Sequence, residues 1–246
     1  MSEVIQVGNQ TMKAEEIISS LAAYKMLPQL LRELIIDRAI ASIECTPEEV
    51  AHAQKQFYAQ HQITSEADMK AWTQFHGLSF DQLGGVTTRQ FKIEKFKQIS
   101  WGNQLESYFF EHKSKFDKVI YCLLRTQDGE VAQEIYFRIM GGEQSFADLA
   151  QEYSQGPEAQ TGGLVGPVEL ASLHPAMVEK LSTSQPGKLL APIYIAGWFV
   201  ILRLEKLVPA QLDEAMEARL LNELFQRWLN EQLQQEPRGE QAKVAI

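Results

Sequence analysis

Residues 145–166 read SFADLAQEYSQGPEAQTGGLVG, and the fold class follows from this stretch and its flanks. Its first half predicts a short helix, because Ser145 suits an N-cap and Phe146, Leu149 and Ala150 would share one face. Its second half is rich in glycine and proline, which is typical of turns. The stretch therefore predicts a helix followed by a loop that reverses the chain.

The flanks of this stretch carry strand and helix patterns in alternation. Residues 118–124 form a compact apolar run that predicts a strand, and Asp128 can cap a helix that runs through Met140. Further on, a short helix is expected near 175–181, followed by strands at 189–195 and 198–204 with a hairpin turn between them. The order β-α-α-β-α-β-β predicts a small α+β domain over residues 116–208.

Residues 1–115 have a different, helical character after a short hairpin-like start. Apolar residues recur at three- and four-residue steps from Ile17 to Ile40, and Pro28 is expected to divide this stretch. Thr46 precedes a proline and two glutamates, which predicts a helix start with a capping box. A single long helix is expected over about 87–112. Residues 1–115 are therefore predicted to form a helical domain.

The last segment, residues 209–246, predicts one amphipathic helix. Its apolar stripe is too long to face water and needs a partner surface. The stripe consists of Leu212, Met216, Leu220, Leu224, Trp228 and Leu233. We expect this helix to pack on residues 1–115, so that the helical domain is built from both ends of the chain. A homodimeric coiled coil through the same helix is the alternative.

Composition excludes several classes of function. The net charge of −9 and a pI near 5.2 argue against binding to nucleic acid or to anionic lipid, and no apolar run has the length of a membrane span. The first residues lack a signal-peptide pattern. Cys45 and Cys122 lack metal or redox spacing, and the five histidines show no zinc pattern. We expect a cytoplasmic protein with free thiols and no metal or cofactor.

Short motifs follow one another through residues 116–208 in a definite order. They are VIYCL at 119–123, FADLA at 146–150 with YS at 153–154, GGLVG at 162–166, LHPAM at 173–177, PG at 186–187 before PI at 192–193, and GWFVI at 197–201. In this order and spacing the segment resembles the parvulin-type (PpiC/rotamase) peptidyl-prolyl cis-trans isomerases. The resemblance implies a four-stranded antiparallel sheet with helices. The helical flanks resemble those of SurA-like chaperones.

The resemblance also implies a site for a prolyl peptide. Val165, Leu173 and Met177 would line an apolar proline pocket, and Phe199 would form its floor. Tyr121 and His174 would lie at its rim, and Trp198 would also contact the peptide. The implied reaction is cis-trans isomerisation of prolyl bonds in unfolded or proline-containing polypeptides.

The polar part of the implied site departs from the family pattern. Tyr121 and Phe199 occupy the positions of two family histidines, and Gly156 occupies that of a cysteine or aspartate. These three positions are the implied catalytic ones, and their replacement predicts weak isomerase activity. A non-catalytic chaperone or adaptor that only grips peptide is the alternative function. An escort dedicated to one peptide precursor is a third, and the sequence also leaves the oligomeric state open.

Overall fold

The computed structural model describes residues 4–7 and 10–235 of the chain. The chain divides into two compact units. The first, which we call the helical unit, combines Met1–Leu105 with Glu214–Ile246. The second, the sheet unit, is Glu106–Asp213. The division falls after Leu105, earlier in the chain than the expected boundary at 115.

The helical unit begins with an antiparallel hairpin of strands β1 (Val4–Val7) and β2 (Gln10–Lys13). Five helices follow: α1 (Ala14–Ala23), α2 (Leu27–Ile40), α3 (Pro47–Gln60), α4 (Glu66–Phe75) and α5 (Phe80–Trp101). Pro28 lies in the first turn of α2, where a missing backbone N–H costs nothing. Thr46 caps α3 with the predicted capping box, since Glu49 binds back to the Thr46 backbone.

The expected long helix over 87–112 is wrong. Helix α5 ends at Trp101, and a 3-10 turn over Gly102–Gln104 separates it from α6 (Leu105–Phe116). Gly102 is a poor helix former, and a 3-10 turn is a common way for a helix to end. The apolar periodicity continues across this turn, which is why the sequence pattern missed it.

The sheet unit contains β3 (Lys118–Thr126), α7 (Gly129–Met140), α8 (Phe146–Tyr153), β4 (Leu164–Glu169), α9 (Pro175–Ser182), β5 (Leu189–Ile195) and β6 (Trp198–Val208). The strands form one antiparallel sheet in the order β4-β3-β6-β5. Asp128 and Ser145 cap α7 and α8 as expected. The predicted α+β fold with a four-stranded antiparallel sheet is confirmed.

The two faces of this sheet carry separate apolar layers, because successive side chains of a strand point to opposite faces. On one face, Val119 and Tyr121 of β3 pack with Leu181 of α9. On the other, Cys122 and Leu124 of β3 pack with α7 and α8. The α9 face is the one that carries the candidate site described below.

The last described helix, α10 (Glu214–Gln235), belongs to the helical unit. Its Phe225 and Leu229 are buried in one cluster with Ile36 and Ile40 of α2 and Ile93 of α5. The buried Lys97 of α5 donates to Asn222 Oδ1 at 2.6 Å, and its ammonium lies 5.1 Å from the centre of the Phe225 ring. Helix α10 thus completes a core whose other members come from the beginning of the chain.

Candidate functional site

An apolar cluster on the α9 face of the sheet gathers most of the predicted site residues. Tyr121 and Met177 are buried, with 3% and 9% of their surfaces exposed. Half-buried residues pack against the larger apolar cluster to which these two belong, and they border solvent; these are Val165, Leu173 and Trp198. We call these five residues the apolar basin. Their mixture of buried and half-buried surface suits a shallow seat for an apolar ring.

Local structure explains how these side chains meet. Val165 pairs directly with Tyr121 across the β3–β4 ladder, so the two lie on the same face of the sheet. Leu173 follows a 3-10 turn, and His174 caps α9 by accepting a hydrogen bond from the Ala176 N–H at 3.3 Å. His174 itself is exposed beside the basin and serves the helix as its cap.

The expectation that Phe199 forms the floor of the pocket is wrong. On β6, Val200 and Leu202 belong to the α9-face cluster, and Trp198 packs against it. Phe199 therefore points to the opposite face. There it touches Gly129, at the start of α7, so closely that a Cβ on that glycine would come within 2.9 Å of the ring.

Gly156 is surrounded by an ion pair that the sequence did not reveal. The Arg125 guanidinium donates to both carboxylate oxygens of Glu158, from Nε at 2.8 Å and from Nη2 at 2.6 Å. Ser154 Oγ donates to the same carboxylate at 2.7 Å. A Cβ at Gly156 would overlap both Arg125 and Glu158. The φ of Gly156 is −118°, which any residue adopts, so glycine is needed here for space and not for backbone shape.

This ion pair lies at one end of the apolar basin. Arg125 shares the Tyr121 face of β3, because four residues along a strand are two full pleats. Its guanidinium lies 5.9 Å from the centre of the Trp198 ring, within cation–π range. The Arg125 backbone is also tied to the loop, since its N–H donates to Ser154 Oγ and its carbonyl accepts from the Gln155 N–H. The site thus combines the apolar basin with an ion pair that hydrogen bonds hold in place.

Protonation in the site follows from burial and from this pair. Burial raises the pKa of the Glu158 carboxyl, but hydrogen bonds from Arg125 and Ser154 outweigh it and leave that pKa below its usual value. The hydrogen bonds to Glu158 raise the pKa of Arg125 despite burial. Burial, together with the Glu158 charge, raises the pKa of the Tyr121 hydroxyl. At neutral pH the pair is ionised and Tyr121 is neutral.

The described side chains of the site are apolar residues, one phenol and one ion pair. Within the part of the chain that the structure describes, no three His, Cys, Asp or Glu residues are grouped as metal ligands would be. Cys122 lies on the opposite face, where burial and a hydrogen bond to Glu205 raise its thiol pKa to about 11, so it is a poor nucleophile. Over residues 4–7 and 10–235, no helix is both long and apolar enough to cross a bilayer.

Arg125, Glu158 and Ser154 are the site residues that the motif comparison missed. Arg125 could have been found from the strand period, since it falls on the face of Tyr121. The pairing with Glu158 joins residues 33 positions apart across a loop. No local sequence pattern predicts such a contact.

Part of the sheet unit matches a known protein family. Residues 125–206 match the family model of the rotamase, or PPIC-type PPIASE, domain. The foldase protein PrsA of Caldanaerobacter subterraneus subsp. tengcongensis is 25% identical over 213 residues, which is 85% of this chain and 63% of that protein. The chaperone SurA of Bordetella parapertussis is 31% identical over 96 residues, 39% of this chain and 18% of that protein.

A solved structure supports the fold over nearly the whole chain. The peptidylprolyl isomerase PrsA from Bacillus cereus superposes with a TM-score of 0.55 and 16% identity, covering 98% of this chain and 93% of that one. At this identity the likeness concerns the fold alone. The match to the rotamase model and the shared fold confirm the parvulin-type resemblance with flanking chaperone-like helices.

Proposed function

We propose that this chain, which contains a PPIC-type rotamase domain, is a peptidyl-prolyl cis-trans isomerase and foldase that acts on polypeptide clients. The observation that carries the proposal is the apolar basin next to the Arg125–Glu158 pair; all of these residues except Tyr121 lie within the segment that matches the rotamase model. The chain spans 63% of the PrsA relative, so the activity of that whole protein supports the proposal without deciding it.

The reaction needs little from a protein beyond such a seat. Rotation about a prolyl bond is slow because amide resonance is lost at the twisted state, with a barrier of roughly 18–20 kcal/mol. A site lowers this barrier by holding the proline ring, keeping the chain partly twisted and removing water from the amide. Val165, Leu173 and Trp198 border solvent and would meet the proline ring first.

Weak activity is part of the proposal. Tyr121 supplies one hydroxyl, Gly156 supplies no side chain, and Phe199 faces the other side of the sheet. The side chains at the family's polar positions therefore include one hydroxyl, on the buried Tyr121. We expect isomerisation to be measurable but slower than that of a parvulin with the full polar set.

Exchange NMR on an Ala-Ala-Pro-Phe peptide tests this proposal, because it measures the catalysed cis-trans exchange rate and the peptide affinity together. Val165→Asp and Leu164→Asp form a matched pair on β4. Val165 packs on the basin, whereas Leu164 is 50% exposed and next to it in sequence. Val165→Asp should abolish peptide binding and exchange, because it places a charge in an apolar seat. Leu164→Asp should leave both unchanged.

A non-catalytic peptide-binding chaperone is the second candidate, and the missing polar side chains at Gly156 and Phe199 favour it. The same experiment separates the two. Saturable peptide shifts around the basin without faster exchange would identify a binding module. Peptide-induced chemical-shift changes confined to the helical unit would contradict both candidate functions, because both place the peptide site at the basin.

The clients we propose are unfolded or proline-containing polypeptides, in keeping with the relatives named as a foldase and a chaperone. The cytoplasm is the proposed compartment, and the free thiols of Cys45 and Cys122 support it. Cell fractionation with a tagged chain tests the compartment. Recovery of the chain outside the cytoplasm would overturn that part of the proposal.

A further inference from the structure

The apolar basin carries two side-chain donors, the Tyr121 hydroxyl and the Trp198 indole N–H, and the Arg125–Glu158 pair lies beside it. We propose that Arg125 is the catalytic residue that meets this amide, and that Glu158 is the residue that positions it. This inference rests on the proposed isomerase function and deepens it. It assigns to this chain a polar element where Gly156 and Phe199 supply none.

Burial and hydrogen bonding fix the guanidinium in one orientation. The Glu158 side chain is 3% exposed and takes two hydrogen bonds from Arg125 and one from Ser154. The Arg125 side chain is 30% exposed, so it reaches the surface at the basin while its partner does not. A cation held in this way requires no reorganisation when a substrate arrives, which is the condition for electrostatic catalysis.

Arg125 retains hydrogen-bond donors for a substrate. A guanidinium has five N–H groups, and the hydrogen bonds to Glu158 use one on Nε and one on Nη2. Among the described residues, the remaining three donors are left for a bound peptide. The ring of Trp198, which belongs to the basin, lies 5.9 Å from the guanidinium carbon. A proline seated beside Trp198 would therefore bring its amide close to these donors.

The chemistry of the twisted amide decides which atom Arg125 must meet. When resonance is lost, the prolyl nitrogen regains its lone pair and becomes a better acceptor, while the carbonyl oxygen loses negative charge. A donor to the oxygen would stabilise the planar ground state and slow the reaction. A donor to the nitrogen is stronger in the transition state and speeds it. We therefore assign Arg125 as a donor to the prolyl nitrogen, and no covalent bond forms or breaks.

The test compares Arg125→Met with Arg203→Met in the full chain. Arg203 makes a matched control, because it is also 30% exposed, is paired with Glu205 at 2.6 Å and stacks over Phe146 on the opposite face of the sheet. In exchange NMR with the Ala-Ala-Pro-Phe peptide, Arg125→Met should lower the exchange rate at saturating peptide about tenfold or more, as loss of a transition-state donor does. The peptide Kd should change less than about threefold. Arg203→Met should change neither.

Two further variants separate the catalytic role from a structural one. Arg125→Lys keeps a cation and should retain part of the exchange rate that Arg125→Met loses. Glu158→Gln keeps Arg125 but weakens the hydrogen bonds that orient its guanidinium. It should lower the exchange rate at saturating peptide without weakening peptide binding. Native-like dispersed NMR signals from residues 106–213 in each variant establish that the unit is folded. If Arg125→Met does not fold, Arg125→Lys and Glu158→Gln carry the test.

The outcomes are distinct. A wild-type rate in Arg125→Met or, where that variant does not fold, in both other variants overturns the assignment while leaving the isomerase proposal standing. A change confined to Kd overturns it too, because Arg125 would then bind substrate and transition state equally. If the wild type binds the peptide without accelerating exchange, the isomerase proposal fails and the assignment fails with it.

Discussion

Glu158 holds Arg125 by two hydrogen bonds, at 2.8 and 2.6 Å, in the space that any side chain at residue 156 would need. A side chain at residue 156 would therefore have to displace the pair from this arrangement. Glycine at residue 156 therefore leaves the space that the Arg125–Glu158 pair occupies, and it is more than the loss of a catalytic side chain.

Gly156→Ala should destabilise the sheet unit by about 1–3 kcal/mol, the usual cost of overpacking. The backbone accepts alanine here, so the cost should come from displacing Arg125 and Glu158. Urea unfolding measures it. In an Arg125→Ala/Glu158→Ala background the same substitution should cost much less. An equal cost in both backgrounds would mean that the pair is not what excludes the side chain.

The stability of the sheet unit should depend on pH through Glu158. Its pKa is lowered by folding, so its contribution is present above the unfolded value of about 4.3 and is lost as the pH falls through the folded value. The difference in unfolding free energy between wild type and Glu158→Gln should stay constant from pH 7 to 5 and shrink below about 4.3. If the wild type instead gains stability relative to Glu158→Gln as the pH falls from 7 to 5, burial, which raises the pKa, outweighs the hydrogen bonds.

The helical unit should depend on α10 for its core. Leu229 is 1% exposed within the cluster that includes Ile36 and Ile93, so Leu229→Ala should cost about 2–5 kcal/mol. Leu34→Ala is the matched control, because Leu34 is 49% exposed and its loss should cost less than about 0.5 kcal/mol. Thermal unfolding measures both.

Truncation after Pro209 extends this test. It should abolish cooperative unfolding of residues 1–105 and leave the sheet unit with dispersed NMR signals. A cooperatively folded N-terminal half in the truncated chain would refute the two-ended unit.

The two thiols should differ in reactivity. With a pKa of about 11, the Cys122 thiol is ionised in roughly one molecule in a thousand at pH 8, and the residue is buried. Cys45 is only half-buried. A disulfide-exchange reagent at pH 8 should therefore modify Cys45 in the native protein and reach Cys122 only on unfolding. Equal rates for Cys45→Ser and Cys122→Ser variants would contradict this.

The sequence was most informative where local rules act. The caps at Thr46, Asp128 and Ser145 and the strands of the sheet follow from spacing and turn chemistry alone. The sequence did not predict the helix break at Gly102, because the helical spacing of apolar residues continues across it. Tyr121, Val165, Leu173, Met177 and Trp198 follow from motif order, and in the structure each belongs to or packs against one apolar cluster.

The rest of the site could not be predicted for two physical reasons. Phe199 was assigned by its place in a motif, whereas the direction of a strand side chain depends on alternation, and Val200 and Leu202 fix that alternation. Arg125 and Glu158 meet only because the loop after α8 folds back on β3, which Ser154 and Gln155 anchor through the Arg125 backbone. Contacts of this kind depend on tertiary structure.

The contact between Lys97 and Asn222 has a consequence for how the chain emerges from a ribosome. The two residues are 125 positions apart. At about 5–20 residues per second, roughly 6 to 25 s pass between the synthesis of one and of the other. During that interval the whole sheet unit is made and has its complete set of strands, while α2 and α5 still expose the surface that α10 will cover. The sheet unit can therefore complete its core before the helical unit does.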